Sequence, residues 1–187
     1  MDFLLVIGKV CRSLDAAGVR YALIGGFAMA LRGVQRATVD LDFMLMLADL
    51  ERADAVLRGI GYQREYHSEN VSHYVSDVAP LGRIDLLHAF RGRSVGMLAR
   101  AERITVADGL DLPVVQVEDL IGLKVQAACN DEARAESDWT DIRSLMESQA
   151  QLGLRMDWEL IADYLDLFEL EHKRKTMEDW YGKAHRG

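Results

Sequence analysis

The 187-residue chain is 50% hydrophobic and 28% charged, with two prolines and no low-complexity run, which excludes long disordered linkers and fits a globular protein. Thirty acids against 22 lysines and arginines leave a net charge of −8, so stable, non-specific DNA binding is not expected. No apolar run approaches the roughly twenty residues that cross a bilayer, no basic leader opens the chain, and Cys11 and Cys129 have no metal-type spacing with histidine; the expectation is a cytoplasmic protein, without membrane contact, carrying two buried free thiols.

Phe3, Leu4, Ile7, Val10, Cys11 and Leu14 recur at helical spacing and predict an amphipathic helix over 2–17, stopped by Gly18. A short buried strand follows over 19–24. The pair Gly25-Gly26 turns it into a second helix, from Phe27 to about Leu31, which Gly33 ends. A second strand spans 39–47. The next helix covers 50–60, with Ala48-Asp49 as its cap and Gly59 or Gly61 as its stop. Strand patterns then occupy 62–67, 71–78 and 83–88, the last two reading as a hairpin about Gly82. A short helix over 94–101 precedes a hairpin, 103–106 with 112–115, turned by Ala107-Asp108-Gly109. From Gln116 the chain is helical, over about 117–130, 134–148 and 158–171, with a tail containing Trp180 and Tyr181 that frays. The fold class is therefore α+β. A mixed sheet with flanking helices fills 1–115, a helical lobe fills 116–187, and the short connection predicts two packed lobes with a cleft.

The acids carry the chemistry. Asp40 and Asp42 alternate with Val39, Leu41 and Phe43, so on a strand both carboxylates leave one face while the apolar residues enter a core. Neighbouring carboxylates repel, and a divalent cation with oxygen ligands is their natural neutraliser. Asp85 stands between Ile84 and Leu86; if its strand lies beside the first, it shares that face and completes a set able to hold two ions. Gly25 and Gly26, at a helix start and without side chains, suit the close approach of a phosphate to backbone amides. Thr38 joins the acidic face if the strand begins early enough, and Arg36 either meets a phosphate or pairs with an acid. Lys124 interrupts an apolar helix, and Asp138 and Asp141 share a helix face three residues apart. His67, His73 and His88 lack zinc spacing and read as structural.

Gly25-Gly26, thirteen intervening residues and then Asp40-Leu41-Asp42 resemble the nucleotidyltransferase (polymerase-beta-like) superfamily, and Ile84-Asp85-Leu86 resembles its third motif. The wording around these motifs looks most like the AbiEii-type toxin branch. The resemblance implies a nucleotidyltransferase-type mixed sheet and a catalytic, metal-binding set of Asp40, Asp42 and Asp85. It implies two Mg²⁺ ions, or Mn²⁺ in their place, about 3.5–4 Å apart at the α-phosphorus of a nucleoside triphosphate such as ATP. Gly25, Gly26, Arg36, Thr38, Lys124, Asp138 and Asp141 are then the nucleotide-binding residues. Relatives often carry Ser at the position of Gly26 and a basic residue at that of Ser137, so this chain departs from the pattern twice. The acceptor hydroxyl implied is on RNA or protein, with a cognate antitoxin as partner. A small molecule such as an antibiotic, or a non-catalytic binding role, is the alternative.

Overall fold

Among the described residues seven short strands, all but the polar edge strand over 63–67 carrying apolar side chains in alternation or in runs, pair into one mixed sheet. The structure is a computed structural model that describes residues 3–35, 38, 40–78, 81–107 and 109–185. Strands β1 (Tyr21–Ile24), β2 (Asp40–Met46), β3 (Gln63–His67), β4 (Val71–Val75), β5 (Arg83–Ala89), β6 (Glu102–Ala107) and β7 (Leu110–Val114) stand in the order β3-β4-β5-β2-β1-β7-β6. The pairs β2–β5 and β1–β7 are parallel and the other four antiparallel. The helices are α1 (Phe3–Ala16), α2 (Gly25–Leu31), α3 (Leu50–Ile60), α4 (Gly92–Arg100), α5 (Val117–Asn130), α6 (Glu132–Gln151), α7 (Trp158–Leu167) and α8 (Arg174–Ala184). The chain divides into two units, Met1–Ala28 with Arg36–Gln116, and Met29–Gln35 with Val117–Gly187. The division falls within α2, so Met29–Gln35 belongs with the helical remainder rather than with the sheet.

In the first unit the period-two pattern leaves one face of the sheet dry and makes the other polar where the acids stand, although Ala22 and Met44 of that second face are buried as well. Leu41, Phe43 and Leu45 of β2 are fully buried beside Ile84 and Leu86 of β5 and Leu23 of β1. Each such side chain stabilises the fold by about 1.5–3 kcal/mol when removed from water. Tyr21 ties α1 to this face: its hydroxyl is shared between the Cys11 carbonyl and Asp15, and its ring meets Phe43 edge-on at 5.8 Å. Tyr74 ties α3 to the same face by donating to Asp54 at 2.8 Å. Burial pushes the Cys11 thiol up to about 12. Cys129, by contrast, is exposed, contrary to the expectation of two buried thiols: it falls in a helix, as expected, but stands one residue from the C-terminal end of α5.

Asp49 stands at the N-cap of α3, as expected from its position, yet its side chain makes no capping bond. Two arginines compete more strongly. Its buried carboxylate accepts from the Arg20 backbone amide at 3.1 Å, from Arg20 Nε at 2.7 Å and from Arg52 Nη2 at 2.6 Å. The Arg20 guanidinium hydrogen bond holds the Asp49 carboxyl below the usual carboxylate range. A carboxyl depressed in the folded state contributes its full stability above the unfolded pKa, about 3.9, and loses it as pH falls through the lower folded value. Asp49→Asn is therefore expected to cost about 1–3 kcal/mol at pH 7 and to flatten the acid limb of stability. Urea midpoints of both proteins between neutral pH and pH 3 check this; parallel acid limbs would refute it.

In the second unit, Leu120, Ile121, Val125, Ile142, Leu145, Met146, Ile161 and Leu165 form the core of α5, α6 and α7. Asp131 and Asp157 cap α6 and α7, Asp157 accepting from the amides of Glu159 and Leu160. Helix α7 stops at Leu167, short of the expected 171, because Glu169 takes a left-handed φ of 57°. The tail is not frayed. Helix α8 buries Met177 completely, and Tyr181 packs edge-on against Trp158 while donating to the Leu154 carbonyl at 2.7 Å. Among the described residues no helix is long and apolar enough to cross a membrane.

Candidate active site

The parallel pairing of β2 with β5 places Asp42 directly beside Asp85, and Asp40 beside Arg83. Residues paired in register share a face, so Asp40, Asp42 and Asp85 all leave the side of the sheet opposite Leu41, Phe43, Ile84 and Leu86. The condition set by the sequence, that two separate strands bring the acids to one side, is met. All three are half-buried, between core and solvent.

Gly25 closes one end of this row. It has a φ of +67°, and a side chain there would fall onto the Asp42 carboxylate. Gly26 is equally constrained, because a Cβ would stand 2.9 Å from the Thr38 Cβ. The departure from serine at this position thus has a steric cause. Gly25→Ala is expected to lose at least about 1–2 kcal/mol through its left-handed backbone alone, with a further loss as Asp42 is displaced. A denaturation midpoint within error of the native value would refute the close approach. Thr38 lies before β2 rather than on it, and its hydroxyl donates to the Asp40 carbonyl at 3.1 Å. It braces the backbone at the first acid. Arg36 and Val39 lie outside the described residues.

Two residues not included in the expected site hold the third acid. Arg83 Nε donates to Asp85 Oδ1 at 2.8 Å, and His73 Nδ1, across the antiparallel β4–β5 pair, reaches the same oxygen at 2.7 Å. Asp85 raises the pKa of Arg83 through that hydrogen bond, and the charge of Asp40 adds to the effect. A sequence signal for Arg83 did exist: two residues before Asp85 on a strand, it must share its face. His73 is visible only through the register. His88, by contrast, is on the dry side, 3% exposed, bonded to Ser72 and to the Glu69 carbonyl, and burial lowers its pKa.

In donor chemistry the acidic face suits a hard divalent cation, since it offers carboxylate oxygens from adjacent strands. Its side chains do not converge on one point: among the described residues, no group of three or more His, Cys, Asp or Glu is gathered to hold a metal ion. Asp85 turns one oxygen toward Arg83 and His73 instead.

The remaining expected residues lie in the helical unit and are brought together there. Lys124 of α5 reaches Asp138 Oδ1 at 2.8 Å and Asp141 Oδ2 at 2.7 Å on α6. Asp138 is 1% exposed, and its second oxygen, buried, accepts no hydrogen bond among the described residues.

Solved structures share this fold. The solution structure of the antibiotic-resistance factor ANT(2'')-Ia has a TM-score of 0.60 and 17% identity, covering 100% of this chain and 99% of that one. A crystal structure of ANT(2'')-Ia in complex with adenylyl-2''-tobramycin gives 0.60 and 14%, covering 97% and 99%. An antigenic nucleotidyltransferase-like protein from Paracoccidioides brasiliensis gives 0.60 and 18%, covering 97% and 93%. At such identities the likeness is one of fold. No curated protein matches the chain. The family profile "Nucleotidyl transferase of unknown function (DUF2204)" matches residues 4–180. With a match over that length, on a sheet shared with these neighbours, the chain belongs to this nucleotidyl transferase family and is a nucleotidyltransferase.

Proposed function

We propose that the chain transfers a nucleoside monophosphate from a Mg²⁺-bound nucleoside triphosphate to an acceptor hydroxyl, with Asp40, Asp42 and Asp85 as its catalytic residues. The observation that carries this reading is the register pairing of Asp42 with Asp85 on one face, ending at Gly25. Bound against Asp40 and Asp42, with Asp85 alongside, Mg²⁺ would supply the positive charge that neutralises the triphosphate and acidifies the acceptor hydroxyl. The backbone at Gly25 and Gly26 is bare enough for phosphate oxygens to approach its amides. Asp85 takes the acceptor's proton. The acceptor oxygen bonds to the α-phosphorus, the bridge to the β-phosphate breaks, and pyrophosphate leaves carrying the electron pair.

The acceptor we favour is a small cationic molecule with a free hydroxyl. The net charge of −8 attracts such a molecule and repels RNA, and the end-to-end likeness to ANT(2'')-Ia, seen with adenylyl-2''-tobramycin, agrees in kind. The AbiEii-like wording of Gly25 to Phe43 supports the second reading, an RNA or protein acceptor with a cognate antitoxin. The test incubates the purified chain with Mg²⁺ and each α-labelled triphosphate, together with aminoglycosides, lincosamides, total RNA or cell extract. Label on a small molecule is expected. Label on RNA or protein selects the second reading, and no label with no triphosphate binding overturns both.

A further inference from the structure

We infer that His73 and Arg83 are positioning residues that fix Asp85 with one oxygen presented to the acceptor hydroxyl. This rests on the transferase reading above. A single row of side chains crosses the sheet on its acidic face, through the register pairs Tyr66–His73, His73–Asp85 and Asp85–Asp42. Both donors to Asp85 converge on Oδ1, Arg83 at 2.8 Å and His73 at 2.7 Å. Among the described residues nothing donates to Oδ2. Two donors from different strands on one oxygen lock the carboxylate's rotation, and the free oxygen is the one able to take a proton.

The row is itself built by an irregularity. The β3–β4 ladder shifts register between Arg64 and Tyr66. In an unbroken ladder Glu65 would stand opposite His73, where its carboxylate would compete with Asp85 for the ring N–H. The bulge instead puts the Tyr66 ring there, stacked on His73 at 5.3 Å between centroids and inclined by 25°. An aromatic face offers the imidazole contact without an acceptor for Nδ1. The ring is therefore left to donate Nδ1–H to Asp85, the tautomer that this geometry requires.

The experiment compares the native chain with His73→Phe and His73→Asn, the amide nitrogen of asparagine standing near the place of Nδ1. Mg-ATP affinity is measured by calorimetry, and transfer by pyrophosphate release with tobramycin and with bulk tRNA as acceptors. His73→Phe is expected to lower turnover about 100-fold, the scale of a misplaced reacting group, with Mg-ATP affinity unchanged, and His73→Asn to recover most of the rate. A phenylalanine variant with native turnover overturns the inference, as does one whose nucleotide affinity falls in step with its rate. In ¹⁵N-histidine-labelled protein, the His73 Nδ1 proton is expected to resonate downfield and to move in Asp85→Ala. An unmoved signal overturns the clamp alone. A native chain that binds Mg-ATP, keeps the signal, and releases no pyrophosphate with any acceptor overturns the transferase reading and leaves the clamp's geometry standing.

Discussion

Asp42→Asn is expected to reduce nucleotide transfer by about 10³-fold while the melting temperature stays at or above that of the native chain. Asparagine keeps the shape of the side chain against Gly25, where no bulkier change is tolerated. It removes a negative charge that lies beside Asp85 in register and two residues from Asp40 on the same face. Reduced repulsion from Asp85 offsets what the lost carboxylate costs the fold, and the role proposed for that charge is to hold the Mg²⁺ of the bound triphosphate. Activity and stability should therefore move in opposite directions. Pyrophosphate release and a thermal melt on the same preparation decide the matter. A variant that keeps its rate within tenfold, or that loses both together, would show that Asp42 serves the fold rather than the chemistry.

Lys124→Met is expected to have the largest effect on stability, about 3–5 kcal/mol, the usual cost of breaking a buried ion pair from one side. The ammonium neutralises Asp138 and Asp141 at once, and among the described residues nothing donates to the second, buried oxygen of Asp138. Methionine keeps the length of the stem but leaves two carboxylates three residues apart on α6 with no counter-charge from α5. Asp138→Asn in the Lys124→Met background should recover part of the loss, because it removes the charge of the more deeply buried carboxylate. Denaturant midpoints of the four proteins form a double-mutant cycle that measures the coupling. The same cycle separates the two roles of Lys124. A loss confined to stability marks it as a strut of the helical unit. Weakened Mg-ATP binding at a temperature where all four are folded marks it as a contact to triphosphate.

Much of the sheet was legible because a strand's side chains alternate and nothing distant alters that period. Leu41 and Phe43 are buried and Asp40 and Asp42 are not, as the alternation required. The bracketing glycines were legible for a related reason, since a chain without a side chain can turn where others are strained. Caps and termini were harder. Asp49 had the right position for a cap, but Arg20, twenty-nine residues away, outcompeted the helix for its carboxylate. The tail looked frayed because its partner, Trp158, is far away along the chain.

What the sequence determined alone was local and periodic: which residues form strands, which face of each strand holds acid, and where glycine admits close approach. The register was beyond it. Nothing in the chain's order says that Asp42 meets Asp85 rather than Ile84, because slipping one strand by a residue changes no local preference yet reverses every side chain on that strand. That choice is made by burial summed over the whole dry face. The bulge that exchanges Glu65 for Tyr66 beside His73, and the pairing of His73 with the third acid, follow from it.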